Sequence, residues 1–89
     1  MKKNYEDLGH FFKEKRENAG MTQLEVAKKL SYTSAQFISN FERGLCSLPV
    51  PAIRKLSSLY KANTESVYKL LVAAEEARIQ ELFYGKKKR

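Results

Sequence analysis

The most informative segment of the 89-residue chain is residues 22–44, TQLEVAKKLSYTSAQFISNFERG. Thr22 followed three residues later by Glu25 is the capping-box pattern found where helices begin. The apolar residues after it recur at helical spacing and predict a short helix over 23–30. The segment therefore opens with a helix whose start is specified by local hydrogen bonding.

A polar turn at residues 31–34 separates this helix from the next one. Its hydroxyl side chains can cap a helix, and the apolar series that follows predicts a helix over 34–42 that stops at Gly44. Two short helices joined by a tight turn form the geometry that places the second helix in the major groove of DNA. Because short helical pairs are common, this geometry alone does not establish a function.

Amphipathic patterns predict three more helices around this pair. The first covers about 5–18, the fourth has Pro51 in its first turn, and the fifth runs from Asn63-Thr64 to Tyr84, before Gly85. Their inner faces are predicted to hold Tyr5, Leu8, Phe12, Ala19, Ile53, Leu56, Leu59 and Tyr60. The apolar series that supports the fifth helix is Val67, Leu70, Leu71, Ala74, Ile79, Leu82 and Phe83. No strand-like alternation and no internal repeat is present in the sequence, so the expected fold class is all-α.

The composition fits one small domain and excludes several classes of protein. Apolar residues make up 43% of the chain and charged residues 30%, as in ordinary globular proteins. The single cysteine, Cys46, cannot form an internal disulfide, and together with His10 it is too little for a structural zinc site. No apolar run approaches the roughly 18 residues that span a bilayer. We therefore expect a cytoplasmic protein that binds no metal, cofactor or membrane.

The basic charge of the chain is unevenly distributed. The net charge is +7, and residues 1–64 carry 11 basic and 6 acidic groups. Residues 65–84 carry 2 basic and 4 acidic groups, and the last five residues add four basic ones. A basic surface favours polyanions, of which nucleic acid is the commonest and an anionic membrane surface the next.

The helix pair and its surroundings closely resemble the Cro/phage-repressor (XRE-type) helix-turn-helix family. The resemblance rests on RENAGMTQ at residues 16–23, VAKKL at 26–30 and ISNFERG at 38–44. It extends through the fourth helix to about Tyr60 or Leu71. One departure is Ser31, which stands where the family usually has glycine.

The resemblance implies a five-helix lambda-repressor-like DNA-binding domain with an extended C-terminal helix. Residues 1–71 would form the helix-turn-helix domain, and residues 72–89 would form the C-terminal helix extension and a basic tail. Arg16 and Glu42 match the family's internal ion pair, which links the first helix to the end of the third and orients the recognition helix.

The positions that read bases in the family fall on the third helix. They correspond to Ala35, Gln36, Phe37 and Asn40. Gln36 and Asn40 both have the paired donor and acceptor that fit the N6/N7 edge of adenine, while Ala35 or Phe37 could contact a thymine methyl. The alternative is that the two amides only face solvent and that Phe37 packs against the second helix or the turn.

The expected phosphate contacts are Gln23, Ser34, Ser39 and Arg43. Gln23 matches the family's glutamine that contacts a backbone phosphate and supports the recognition helix, and Ser34 is also expected to cap the third helix. The alternative for Gln23 is an ordinary surface glutamine.

These features favour a sequence-specific regulator of transcription, expected to be a repressor, that binds a palindromic double-stranded DNA operator as a homodimer. The extended fifth helix is the expected dimer contact, through Leu71, Ala74, Leu82 and Phe83, unless it folds back on the first and fourth helices. The alternative function is an antitoxin or partner-regulated adaptor whose C-terminal helix binds another protein. An enzyme is not expected, because neither an activated nucleophile nor a phosphate-binding glycine loop is found in the sequence.

Overall fold

The structure, a computed structural model, describes residues 3–85 and confirms the all-α fold class. Within that range it contains five helices and no strand. They are α1 (Lys3–Asn18), α2 (Gln23–Lys29), α3 (Gln36–Glu42), α4 (Val50–Leu59) and α5 (Thr64–Tyr84). None of these helices combines the length and the apolar character needed to cross a membrane. The basic tail predicted at 86–89 lies outside the described residues.

The core lies where α1 packs against α3 and α5, and where α2 packs against α3. Its largest fully buried side chains are Phe12, Phe41, Leu8, Ile38, Ile53, Leu56 and Val26. The ring of Phe12 in α1 lies 5.6 Å from that of Phe41 in α3, centroid to centroid. Ala19, which was predicted to belong to the inner face of α1, is instead exposed, because α1 ends one residue before it.

Gly9 allows α1 to approach the backbone of α3. A Cβ atom at this position would overlap the carbonyl oxygen of Phe41 and would lie 2.8 Å from the carbonyl oxygen of Glu42. Real Cβ atoms do not approach a carbonyl oxygen so closely, so the helices can meet here only because residue 9 has no side chain. The last turn of α3 is thus held directly against α1.

The first four helices end in the same way, with a Schellman motif. After α2, the backbone N–H of Tyr32 donates to the carbonyl of Ala27 at 2.9 Å and that of Ser31 donates to Lys28 at 3.0 Å. The motif requires a left-handed residue, which is usually glycine. Gly20 and Gly44 fill this position after α1 and α3, whereas Ser31 (φ 66°) and Lys61 (φ 53°) fill it after α2 and α4.

The predicted helix starts are confirmed for α2 and α5 but not for α3. Thr22 Oγ1 accepts from the backbone N–H of Glu25 at 3.1 Å, and Glu25 Oε1 accepts from that of Thr22 at 2.8 Å. The prediction that Ser34 caps a helix beginning at residue 34 is wrong, because α3 begins at Gln36 and Ala35 is its N-cap. Ser34 Oγ still accepts a hydrogen bond from the Gln36 backbone N–H, at 3.3 Å.

The first half of α5 folds back on the domain. Val67 and Ala74 are buried, and Tyr5 Oη of α1 donates to Glu75 Oε2 at 3.4 Å. Ala74 is only 1% exposed, so the expectation that it pairs with a second copy is wrong. The distal end differs, since Leu82 and Phe83 are 72% and 78% exposed.

Candidate nucleic-acid interface

Helix α3 has a buried face and an outward face. Ile38, Phe41 and Glu42 are buried against the domain. Gln36 and Phe37 are exposed, and Asn40 is partly exposed. The residues expected to read bases are thus presented by a helix whose opposite side is fixed in the core.

Glu42 of α3 forms hydrogen bonds to both α1 and α2 and so connects the three helices. Arg16 Nε of α1 donates to Glu42 Oε2 at 2.7 Å, and Arg16 Nη2 donates to Oε1 at 3.1 Å. Gln23 Nε2 at the start of α2 donates to the same Oε1 at 2.9 Å. The Arg16 and Glu42 side chains are 11% and 3% exposed, so this pair is largely shielded from water. The bidentate geometry fixes the orientation of α3 relative to both preceding helices.

Hydrogen bonding and burial around Glu42 also affect the protonation of its neighbours. The hydrogen bond to Glu42 raises the pKa of Arg16 above its ordinary value, so the guanidinium stays charged. Burial raises the pKa of Tyr60 to about 12, and the negative charge of Glu42 adds to this increase. Tyr60 therefore remains neutral beside the ion pair at physiological pH.

The outward face of α3 carries a side-chain network that the sequence did not predict. Gln36 Nε2 donates to Asn40 Oδ1 at 2.9 Å, and Arg43 Nη2 donates to the same oxygen at 2.9 Å. The three residues lie four and three positions apart, which places them on one side of the helix. Helical spacing could have indicated that Gln36 and Asn40 are neighbours, but not which of their atoms meet.

Phe37 is exposed and contacts the turn. Its side chain is 56% exposed, and its ring centroid lies 5.3 Å from that of Tyr32. Phe37 therefore agrees with both interpretations of its role. One side of the ring packs on the turn, and the rest faces solvent. Tyr32 was missed as a supporting residue because a turn offers no periodic pattern. Ala35, just before α3, is partly exposed.

The expected phosphate contacts lie at different ends of the helix pair. Ser34 is exposed just before α3, and Arg43 is exposed at its C-cap. Ser39 is half-buried on α3. Gln23 is also half-buried, and its amide is bound to Glu42, so it is not the free surface glutamine of the alternative interpretation.

Comparison with known proteins agrees with this geometry. A family model described as a helix-turn-helix domain matches residues 7–68. The chain is also similar to the HTH-type transcriptional regulator ImmR of Bacillus subtilis (strain 168), with 40% identity over 58 residues. That alignment covers 65% of this chain and 45% of ImmR, so the chain corresponds to less than half of that protein. No solved structure matches the chain significantly.

The matched region contains α2, the turn and α3, together with most of α1 and all of α4. It includes both partners of the Arg16–Glu42 pair and the whole outward face of α3. The predicted resemblance to the XRE-type branch is confirmed, and the chain belongs to the helix-turn-helix domain family.

Proposed function

We propose that this chain is a sequence-specific double-stranded DNA-binding regulator of transcription, acting as a repressor. The observation that carries the proposal is the outward face of α3, where two amide side chains are presented on a helix fixed by the Arg16–Glu42 pair. A helix held in this way can enter the major groove without reorganising the domain. Such a protein would act on the nucleoid in the cytoplasm.

In this proposal the base-reading residues are Ala35, Gln36, Phe37 and Asn40. The amides of Gln36 and Asn40 supply hydrogen bonds to base edges, and Ala35 and Phe37 supply apolar surface for a thymine methyl. Because Phe37 rests on Tyr32, the turn positions its ring. Base contacts of this kind provide the sequence preference.

The phosphate contacts in the proposal are Gln23, Ser34, Ser39 and Arg43. Gln23 uses one amide N–H for Glu42 and keeps a second one for phosphate. Arg43 likewise keeps N–H groups beyond the one bound to Asn40. These contacts position the protein on the duplex and make its affinity sensitive to salt.

The repressor is proposed to bind a palindromic operator as a homodimer. One domain offers only a few reading side chains, and two half-sites about 34 Å apart supply the missing affinity. The exposed apolar end of α5, formed by Ile79, Leu82 and Phe83, is the proposed contact between copies. Residues 65–84 have more acidic than basic groups, so this surface is repelled by DNA and stays available for contact with a second copy. Residues 72–89 are accordingly proposed as an extension separate in role from the domain at 1–71.

Selection from a random duplex library at roughly 150 mM salt tests the function, because weak phosphate attraction is reduced at this ionic strength. An enriched inverted repeat with half-sites one turn apart is the expected result. Asn40→Ala should then weaken binding by about 1–3 kcal/mol at one base position and relax the preference there. The absence of any enriched sequence for the folded protein would contradict the proposal.

A second candidate function uses the same end of α5. An antitoxin or partner-regulated adaptor would present Leu82 and Phe83 to another protein, and their exposure in the single chain favours this alternative too. Purification of the native complex separates the two. A stoichiometric partner that Phe83→Glu removes supports the adaptor, whereas a homodimer with no other protein contradicts it.

A further inference from the structure

We propose that Arg43 sets the base preference of the recognition helix through Asn40, by holding the Asn40 amide so that it offers only donors to a base. Asn40 then favours guanine over adenine, while Gln36 remains able to read adenine. This inference rests on the proposed DNA-binding function and deepens it. Arg43 acts here as a positioning residue, in addition to any contact of its own with phosphate.

The direction of the hydrogen bonds follows from the chemistry of Arg43. A guanidinium group has N–H donors and no acceptor. Arg43 Nη2 lies 2.9 Å from one terminal atom of the Asn40 amide, so that atom has to be the oxygen Oδ1. Arg43 therefore decides which way the Asn40 amide is turned, although oxygen and nitrogen are otherwise nearly interchangeable in shape.

The orientation of Gln36 follows in turn. Its terminal amide also lies 2.9 Å from Asn40 Oδ1, and only its nitrogen can donate to an oxygen. Gln36 Oε1 is therefore directed away from this bond. A carbonyl oxygen has two lone pairs, and the two donors together occupy both of those on Asn40 Oδ1.

The two amides consequently differ, although they carry the same functional group. Bidentate recognition of adenine needs an acceptor for N6–H and a donor for N7. Gln36 keeps both, because none of the residues 3–85 donates to Oε1 and its nitrogen has a second hydrogen. Asn40 keeps only the N–H groups of Nδ2. Guanine presents two neighbouring acceptors, N7 and O6, whereas adenine presents a donor beside its N7.

The fold of the protein itself holds the network in place. Asn40 and Arg43 lie one turn apart at the end of α3, and the backbone there is fixed by the Schellman motif at Gly44. Phe41 and Glu42, between them in sequence, are buried. The helix can therefore meet DNA with the orientation of both amides already set.

Selection of binding sites by four proteins tests the inference. Wild type gives the motif, and Asn40→Ala identifies the base position that Asn40 reads. Arg43→Met removes the donors and the charge but keeps a long side chain. Lys29→Met removes the same charge from α2, where Lys29 is exposed, and is the matched control for lost phosphate attraction. Urea unfolding of each variant confirms that it is folded.

The expected wild-type base at the Asn40 position is guanine. In Arg43→Met the ratio of guanine to adenine at this position should fall on the order of tenfold, because Asn40 regains an acceptor. The positions read by Gln36 and by the rest of α3 should keep their bases. Lys29→Met should weaken binding to all sequences and leave the base preference at every position of the motif unchanged.

Two results would overturn the inference while leaving the proposed function intact. One is a wild-type preference for adenine at the Asn40 position. The other is an Arg43→Met motif identical to that of wild type with uniformly weaker binding, which would make Arg43 a phosphate contact only. If wild type itself selects no sequence, the proposed function fails and this inference fails with it.

Discussion

Arg16 Nε donates a hydrogen bond to Glu42 Oε2 across 2.7 Å, and so connects the last turn of α1 to the last residue of α3. Arg16 Nη1 also donates to the carbonyl oxygen of Met21, just before α2, at 2.8 Å. One guanidinium thus contacts the segments on both sides of the Gly20 turn as well as α3. Because these groups are shielded from water, removing one of them leaves the other charge or acceptor buried without its partner.

We therefore expect Arg16→Met to lower the free energy of unfolding by about 3–5 kcal/mol, a large part of the stability of a small domain. In the double variant with Glu42→Leu, the loss should be smaller than the sum of the two single losses, since no charge remains buried alone. Urea unfolding of all four proteins gives the coupling energy. The exposed pair Lys69–Glu65 is the control, where Lys69→Met should cost less than about 1 kcal/mol. Additive losses at Arg16 and Glu42 would contradict the predicted coupling.

Gly9→Ala should destabilise the protein even though it lies in a helix. Alanine in place of a helical glycine normally stabilises by roughly 0.5–1 kcal/mol. Here the new Cβ would meet the carbonyl oxygens of Phe41 and Glu42, so we expect a loss of about 1–3 kcal/mol as α3 is displaced. Thermal unfolding measures this loss, and DNA affinity should fall with it. Gly20→Ala is the control: nothing lies within 4 Å of the added Cβ, but φ is 70°, so it should lose about 1–2 kcal/mol through backbone strain alone and leave DNA affinity unchanged. A stabilised Gly9→Ala would show that the helices can separate without cost.

Ser31→Gly should stabilise the protein. Ser31 has φ 66°, a left-handed conformation that is unfavourable for a residue with a Cβ by roughly 1–2 kcal/mol. Glycine removes this strain but adds freedom to the unfolded chain, so the expected net gain is about 1 kcal/mol, or about 4–8 °C in Tm. Ser31→Val should have the opposite effect. An unchanged or lower Tm for Ser31→Gly would indicate that the Ser31 side chain contributes to the turn.

The raised pKa of Tyr60 predicts that the protein loses stability in alkaline solution. Its pKa is raised from 10.0 to about 12 in the folded protein, chiefly by burial. As the pH rises above 10.0, the unfolded chain ionises first, so this stabilising contribution falls and is lost as the pH passes about 12. Between pH 10.0 and about 12, the free energy of unfolding should decrease less steeply with rising pH in Tyr60→Phe than in wild type. Identical slopes for the two proteins would mean that Tyr60 is not shielded.

The exposed apolar end of α5 predicts a homodimer that single substitutions can disrupt. Phe83→Glu and Leu82→Glu should convert a homodimer into a monomer, because each places a charge in the proposed apolar contact. Sedimentation equilibrium gives the mass, and the urea midpoint should change little since both side chains are exposed in the single chain. Gln80→Glu, on the same helix turn and also exposed, is the control. A dimer that persists in both charged variants would place the interface elsewhere.

The ends of most helices could be predicted from the sequence. Thr22 and Glu25 bond to each other's backbone, Asn63 Oδ1 accepts from the N–H of Ser66 at 2.8 Å, and Gly20 and Gly44 adopt the left-handed conformation after their helices. All of these interactions form within a few residues, so the local sequence contains both partners. The start of α3 was placed two residues too early, because the polar turn offered two candidate N-cap residues.

The family resemblance supplied the candidate residues of the interface, including Arg16 and Glu42, but residue types and spacing do not give the direction of their hydrogen bonds. Gln36 and Asn40 have equivalent amides in the sequence, and only the position of the Arg43 guanidinium distinguishes their oxygens from their nitrogens. Likewise, the pattern of α5 left open whether it folds back or pairs with a second copy. Packing against α1 buries Ala74 and leaves Phe83 exposed. Local hydrogen bonds are encoded by neighbouring residues, whereas burial and side-chain orientation depend on residues brought together from distant parts of the chain.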